Sequence, residues 1–205
     1  MDAFEHPRTW AKRMIEEHGE QSEFSVLWHT HGYQFAMMAE LLKNLRLYDD
    51  CSILDVGAGR LDLLAFLEER ISLRRYMGVD FSEDLLAIGK KAYPSAEIHA
   101  GDYLDYLADD RFDFVVANGV LSYAKMWKGR EQDWVNRMIR KMFGDCRVGC
   151  AFNIPSGLLG GFDADSWFVA DPFPVLAQAL KVTPYVILDH SSKSGFMTVT
   201  MLRRS

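Results

Sequence analysis

The sequence contains few cysteines and no block of basic residues, and both absences exclude classes of protein. Only Cys51, Cys146 and Cys150 occur among 205 residues, too few and too poorly spaced for a disulfide framework or a zinc site. We therefore expect no bound metal and a reducing, cytoplasmic setting. Asp and Glu number 29 against 23 Lys and Arg, a net charge of −6 at pH 7. Because nucleic-acid binders usually carry a basic surface, we expect no nucleic-acid partner.

Long apolar runs are also missing. No uninterrupted apolar stretch approaches the roughly 18 residues of a membrane span, so we expect no membrane partner. The opening residues, MDAFEHPRTW, lack the apolar core of a secretory signal. The sequence contains no internal repeat and no low-complexity segment. We expect residues 1–205 to form a single domain, with residues 1–32 as an N-terminal helical cap and the Gly- and aromatic-rich residues 155–170 as a lid-like insertion.

Short apolar segments alternate with helical patterns between Cys51 and Phe152, and this alternation predicts an α/β fold. The predicted strands are Ser52–Val56, Tyr76–Val79, Glu97–Ala100, Phe112–Ala117 and Val148–Phe152. The predicted helices between them are Leu61–Ile71, Glu83–Ala92 and Glu131–Phe143, with a short helical turn at Tyr103–Leu107. Strand–helix alternation implies right-handed crossovers, so we expect a doubly wound, mostly parallel sheet with helices on both faces.

Both ends of the chain extend this core. Helical patterns cover Pro7–His18 and Tyr33–Leu45 before it, and Pro174–Leu180 after it. Two final strands are predicted at Tyr185–Asp189 and Phe196–Leu202. The six residues between them are too few for a crossover helix, so we expect the last strand to run antiparallel to its predecessor.

The segment Asp55-Val56-Gly57-Ala58-Gly59-Arg60-Leu61 follows the first predicted strand and precedes a helix. Glycines at such a turn let the backbone approach a ligand closely. A dinucleotide fingerprint would need a third glycine where Asp62 stands, and that carboxylate would repel a pyrophosphate. An acid before the first glycine, Asp55, suits a ligand with positive charge, such as an amino group or a sulfonium.

Four runs of the sequence resemble a class I, Rossmann-like S-adenosylmethionine-dependent methyltransferase: ILDVGAGRLDLLAFL, YMGVDFSEDLLAIGKKAYP, IHAGDYLDYL and FDFVVANGVLSYA. The resemblance covers roughly Cys51 to Phe152. The family's first loop, (D/E)-x-G-x-G-x-G, is met by Asp55, Gly57 and Gly59, but Leu61 replaces the last glycine. The resemblance implies S-adenosyl-L-methionine as cofactor and seven strands in the order 3-2-1-4-5-7-6, with the seventh reversed.

The next two loops carry acids that suit the adenosine part of this cofactor. Asp80 ends the second strand, where an acid in a doubly wound fold accepts hydrogen bonds from ribose hydroxyls. Phe81 could stack on the adenine or pack in the core. By the resemblance, Asp102 accepts the adenine amino group and the backbone N–H of Tyr103 reaches the ring. Asp102 could also cap the turn that follows it.

The remaining candidates concern the methionine end and the acceptor. The resemblance implies that the backbone of Asn118 faces the methionine amino group and that an aromatic residue, here Tyr33, contacts the sulfonium. Tyr123 is a candidate catalytic residue that could orient or deprotonate the acceptor, or it could serve only in packing. His29 and His31 are candidates for a polar lid contact, and His31 for a catalytic base.

Missing motifs favour a small-molecule methyl acceptor. The sequence has no (D/N)-P-P-(Y/F) run after the fourth strand, where it reads Asn118-Gly119-Val120-Leu121, and no cysteine follows a proline. Two alternatives stay open: an NAD-type oxidoreductase on a related fold, and a non-catalytic cofactor-binding module that acts through a protein partner.

Overall fold

Seven strands form one mixed sheet in the computed structural model, which describes residues 7–20, 22–26, 28 and 30–204. The strands are β1 (Cys51–Val56), β2 (Leu73–Asp80), β3 (Glu97–Ala100), β4 (Phe112–Ala117), β5 (Cys146–Pro155), β6 (Val186–Asp189) and β7 (Phe196–Leu202). Their order is β3-β2-β1-β4-β5-β7-β6. Strand β7 pairs antiparallel with both β5 and β6, whereas the pairs among β1 to β5 are parallel. This confirms the predicted fold class and the reversed last strand.

Helices cover both faces of the sheet. They are α1 (Pro7–His18), α2 (His31–Leu42), α3 (Asp62–Glu68), α4 (Glu83–Ala92), α5 (Glu131–Asp145) and α6 (Pro172–Val182), with 3-10 segments at Glu23–Val26 and Val120–Met126. Strand β1 is buried along its whole length because its side chains alternate between two cores. Leu54 and Val56 pack in the core beneath α5 and α6, and Ile53 packs in the core beneath α2 and α3.

Several element boundaries differ from the sequence predictions for local reasons. Helix α2 begins at His31 instead of Tyr33, because Thr30 caps it by accepting a hydrogen bond from the Tyr33 backbone N–H at 3.1 Å. Strand β5 extends over ten residues, since β7 pairs with it as far as Pro155. The predicted helical turn at Tyr103–Leu107 is shorter than expected: residues 103–105 form a single turn, in which the Tyr106 N–H donates to the Asp102 carbonyl at 3.1 Å. Within the described ranges, no helix has the length and apolar character needed to cross a membrane.

The N-terminal helix covers the side of the sheet where β2 ends. Ala11 of α1 packs against Leu85 and Ile88 of α4, and Val26 joins the same small cluster. The backbone after α1 is fixed by the guanidinium of Arg60, which donates to the carbonyl oxygens of residues 20 and 22 at 2.9 and 3.0 Å. This arrangement brings the N-terminal segment over the glycine-containing loop after β1.

Candidate functional site

A cavity of about 450 Å³ opens at the carboxyl ends of the parallel strands. Its walls include every residue predicted to bind a cofactor: Tyr33, Asp55, Gly57, Ala58, Gly59, Asp80, Phe81, Asp102, Tyr103 and Asn118. Tyr123 also lines it. His31 lies outside the cavity walls, and its ring packs against that of Phe35 with centroids 3.9 Å apart. His29 lies outside the described residues.

Asp80 joins the ends of β1 and β2. One carboxylate oxygen accepts from the Gly59 backbone N–H at 2.9 Å and the other from the Ser82 N–H at 2.7 Å. Burial raises the pKa of Asp80, and these two hydrogen bonds oppose the rise. Ser82 caps α4 by accepting from the Leu85 N–H, so Asp80 is not needed as the helix cap. Because each carboxylate oxygen can accept two hydrogen bonds, Asp80 keeps capacity for a ligand.

Asp55 is a buried acid in the floor of the cavity. The hydroxyl of Tyr76, from the neighbouring strand β2, donates to its Oδ2 at 2.5 Å. Burial raises the pKa of Asp55 to about 7, the Tyr76 hydrogen bond opposes the rise, and the charges of Asp80 and Asp62 add to it. The carboxyl group is therefore near its titration midpoint at neutral pH, and a cation placed beside it would favour the ionised form.

Gln34 and Asp62 form a polar pair that the sequence analysis did not place. The Gln34 side-chain amide donates to Asp62 Oδ2 at 3.0 Å, and Arg60 lies 3.3 Å from the same oxygen. Both paired residues line the cavity, and only 2% of Gln34 is exposed. Its carbonyl oxygen Oε1 has no hydrogen-bond partner in the described part of the chain. A buried acceptor without a partner costs free energy, so this oxygen suits a donor on a ligand.

The loop after β3 combines the two roles considered for Asp102. Its Oδ1 accepts from the Leu104 backbone N–H at 2.8 Å and so caps the following turn. The residue lines the cavity as well. Tyr103 is buried, and its hydroxyl donates to Asp145 at 2.7 Å, which leaves only its backbone for a role at the ligand side.

Asn153 holds the loop after β4 and was missed by sequence reasoning. Its side chain accepts from the Gly119 N–H at 2.5 Å and donates to the Asn118 side-chain oxygen at 2.6 Å. The residue is fully buried near the carboxyl end of β5. An isolated asparagine 34 positions beyond Gly119 carries no local signal of this contact.

Replacing Asn153 by alanine should remove both hydrogen bonds and leave the Gly119 N–H without its side-chain acceptor. We expect a loss of about 1–3 kcal/mol in unfolding free energy and weaker cofactor binding. Urea unfolding and calorimetric titration would measure the two effects. Asn136→Ala, at a half-buried position of α5 outside the cavity where the side chain accepts a hydrogen bond from Gln132, serves as control, and equal effects of both substitutions would contradict the assignment.

Aromatic residues form a further part of the cavity wall. All five tryptophans of the chain line it: Trp10, Trp28, Trp127, Trp134 and Trp167. Trp127 stacks on Trp134 with centroids 4.4 Å apart, and Tyr123 meets Trp167 edge-on at 5.8 Å. Burial raises the pKa of Tyr123, and the charge of Asp80 adds to the rise. Tyr123 is therefore a neutral phenol at physiological pH, suited to hydrogen bonding and packing more than to accepting a proton.

Comparison with known proteins agrees with this fold. Residues 54–143 match the family model for a methyltransferase domain. A search of curated proteins gives no match. The chain is similar to the solved structure of magnesium protoporphyrin IX methyltransferase from Synechocystis PCC 6803 with bound S-adenosylmethionine, at 11% identity and a TM-score of 0.66, covering 100% of both chains.

Two further solved structures are similar over most of their length. The N-methyltransferase NodS from Bradyrhizobium japonicum WM9, in complex with S-adenosyl-L-homocysteine, is 13% identical with a TM-score of 0.63, covering 98% of this chain and 100% of that one. DesVI from Streptomyces venezuelae is 13% identical with a TM-score of 0.65, covering 84% and 91%. The family model thus covers residues 54–143 of the chain, and the similarity to these solved structures shows that the chain has the same fold as these methyltransferases.

Proposed function

We propose that this protein transfers a methyl group from S-adenosyl-L-methionine to a small-molecule acceptor. The observation that carries the proposal is the convergence of four loops on one cavity, with acids and an unpartnered buried carbonyl where a cationic nucleoside would lie. The same geometry disfavours an NAD-type oxidoreductase. Asp62 is the first residue of α3 and is fixed in the cavity wall by Gln34, where a pyrophosphate would need free space and no negative charge.

The adenosine end of the cofactor is assigned to the loops after β2 and β3. Asp80 would accept hydrogen bonds from the two ribose hydroxyls in addition to its backbone donors. Phe81 would cover one face of the adenine. The second oxygen of Asp102 would accept the adenine amino group, because the first already caps the turn, and the Tyr103 backbone N–H would reach the ring.

The methionine end is assigned to the loops after β1 and β4 and to α2. Asp55 and the carbonyl oxygen of Gln34 would receive the ammonium group, together with the backbone of Asn118. Gly57, Ala58 and Gly59 would let the backbone approach the ligand. Tyr33 would contact the sulfonium, and its ring lies 5.8 Å from that of Trp28.

When bound, the cofactor supplies a methyl group on a positively charged sulfur, ready for in-line displacement. The task of the protein is to align donor and acceptor and to keep water out. Tyr123 would orient the acceptor from the cavity wall. The N-terminal residues 1–32 would act as a cap, and residues 155–170 as a lid, since Phe162 and Trp167 of this segment line the cavity. The three free, buried cysteines support a cytoplasmic location.

Cofactor binding should depend on pH because Asp55 titrates near pH 7. Binding the ammonium group favours the carboxylate form, so the affinity should rise with pH and level off above the pKa. Below about pH 6 the slope should approach tenfold per unit. Calorimetric titration with S-adenosylmethionine between about pH 5.5 and 7.5 would measure it. Asp55→Asn should flatten the slope, and a slope that survives this substitution would refute the role of Asp55.

Methyl transfer itself is tested with cofactor labelled in the methyl group. The full-length protein would be incubated with a panel of small amines, thioethers, phenols and carboxylic acids, and label in an extracted product would be counted. We expect transfer to at least one class, and less of that transfer in Asp80→Ala at limiting cofactor concentration. Tight cofactor binding without transfer to any class would favour the non-catalytic module instead.

A further inference from the structure

The cavity is lined by acids from five different places in the sequence. These are Asp55, Asp62, Asp80, Asp102 and Asp163, and the described wall contains no Lys, Arg or His. Two cations lie just behind it: Arg60 pairs with Asp62, and Lys125 donates to the Ala164 carbonyl beside Asp163. Even with Asp55 only partly ionised at neutral pH, the two paired cations do not offset the remaining acids, so the interior is expected to hold a negative potential that attracts cations and repels anions.

The wall away from the cofactor loops is aromatic. Tyr123 meets Trp167 edge-on, and Phe162 meets Phe196 edge-on with centroids 4.8 Å apart. Trp28 extends this wall across the end of β4, close to Gly119. The faces of aromatic rings carry partial negative charge and attract organic cations by about 0.5–2 kcal/mol. The negative charge and the aromatic surface of the cavity therefore both favour an organic cation as ligand.

Residues 162–167 bring both negative charge and aromatic rings to the wall away from the cofactor loops. Phe162, Asp163 and Trp167 are near neighbours after β5, and all three line the cavity. The segment is anchored to the 3-10 segment after β4, since the Phe168 N–H donates to the Ser122 carbonyl at 3.0 Å. The carboxylate of Asp163 is held by Ser166, whose hydroxyl donates to it at 2.6 Å, which keeps the pKa of Asp163 below its ordinary value. The acid is therefore ionised beside the aromatic wall at neutral pH.

We propose that the acceptor is a neutral nitrogen or sulfur lone pair carried on an aromatic or apolar body, and that methylation leaves it as a cation held by the aromatic wall and Asp163. This inference rests on the proposed methyl transfer. The lone pair forms the new bond to the methyl carbon, and the carbon–sulfur bond breaks with its electron pair staying on the sulfur. The positive charge passes from the cofactor sulfur to the acceptor atom, so no proton has to leave and no catalytic base is required. Tertiary amines, pyridine-like nitrogens and thioethers meet this description, whereas carboxylates and phosphates are repelled.

Three ligands of nearly equal shape show how charge, independently of size, affects binding: the cation N-methylisoquinolinium, the neutral 2-methylnaphthalene and the anion 2-naphthoate. With S-adenosyl-L-homocysteine present, binding of each to the full-length protein would be followed by tryptophan fluorescence, because every tryptophan lines the cavity. We expect the cation to bind about tenfold more tightly than the neutral compound, and the anion to bind most weakly. Asp163→Asn and Trp167→Leu should each reduce the preference severalfold. Asp165→Asn, an exposed neighbour outside the wall, should leave it unchanged.

Turnover distinguishes the inference from the proposed function on which it rests. Isoquinoline and thioanisole would be offered with labelled cofactor, beside 2-naphthoate, and products identified by mass spectrometry. A product that gains a methyl group and a fixed positive charge supports the inference. If S-adenosylhomocysteine binds but the cation binds no more tightly than the neutral ligand, the inference is overturned and the proposed function stays intact. The same holds if only the carboxylate is methylated. Failure of S-adenosylhomocysteine to bind would overturn the proposed function itself.

Discussion

Replacing Gly57 by valine is expected to abolish cofactor binding and to destabilise the loop after β1. Gly57 has φ +75°, a conformation that a β-branched residue adopts only under strain. A side chain there would overlap Val120 Cγ2 and would reduce the space for a ligand between the two loops. We expect no detectable binding in calorimetry, an affinity loss above about 100-fold, and a lower melting temperature from about 1–3 kcal/mol of backbone strain.

Two further variants keep this prediction falsifiable if the valine variant fails to fold. Gly144→Val, on the exposed face of α5, meets no atom within 4 Å and should bind cofactor normally. In Gly57→Ala combined with Val120→Ala, the new methyl group would lie 3.5 Å from the Cβ at position 120, so the overlap is relieved. A folded double variant that still binds weakly would support the role of this loop in binding. Full affinity in Gly57→Val would remove the loop from the site.

Replacing Asp80 by alanine is expected to weaken cofactor binding by about 1.5–3 kcal/mol, roughly 10- to 150-fold. The substitution removes the acceptor proposed for the ribose hydroxyls. It also removes the acceptor that fixes the Gly59 and Ser82 backbone amides, so the backbone geometry of both loops should change even without a ligand. Asp80→Asn, which keeps one carbonyl oxygen, should lose less affinity than alanine.

Calorimetric titration with S-adenosylhomocysteine would measure the loss, with circular dichroism to confirm the fold. The matched control is Asp84→Ala, an exposed acid in the first turn of the same α4 that lies outside the cavity. Affinity that stays the same in Asp80→Ala, or falls equally in Asp84→Ala, would refute the ribose assignment.

The sequence predicted those parts of the fold and site that short segments specify. The strand over Phe112–Ala117 matches the structure because a mostly apolar run bounded by polar residues is a local signal. The acids and glycines after β1, β2 and β3 share one cavity because the carboxyl ends of parallel strands share one edge of the sheet.

Contacts between distant segments could not be predicted in this way. Asn153 fixes the loop at Asn118 and Gly119 across 34 positions, and Gln34 reaches Asp62 across 28. Neither contact leaves a spacing pattern in the chain, since each depends on how helices and strands pack. The packing of His31 against Phe35, away from the cavity, likewise depends on where α2 begins, and the Thr30 cap decides that.

The central claim is that the cavity accepts a positively charged thioether nucleoside and excludes a dinucleotide. Calorimetric titration of the full-length protein with S-adenosylmethionine, S-adenosylhomocysteine and NADH, followed by competition between them, tests it directly. We predict saturable one-site binding of the first two ligands, weakened in Asp80→Ala, and no competition from NADH. Saturable NADH binding that displaces S-adenosylhomocysteine would contradict the account.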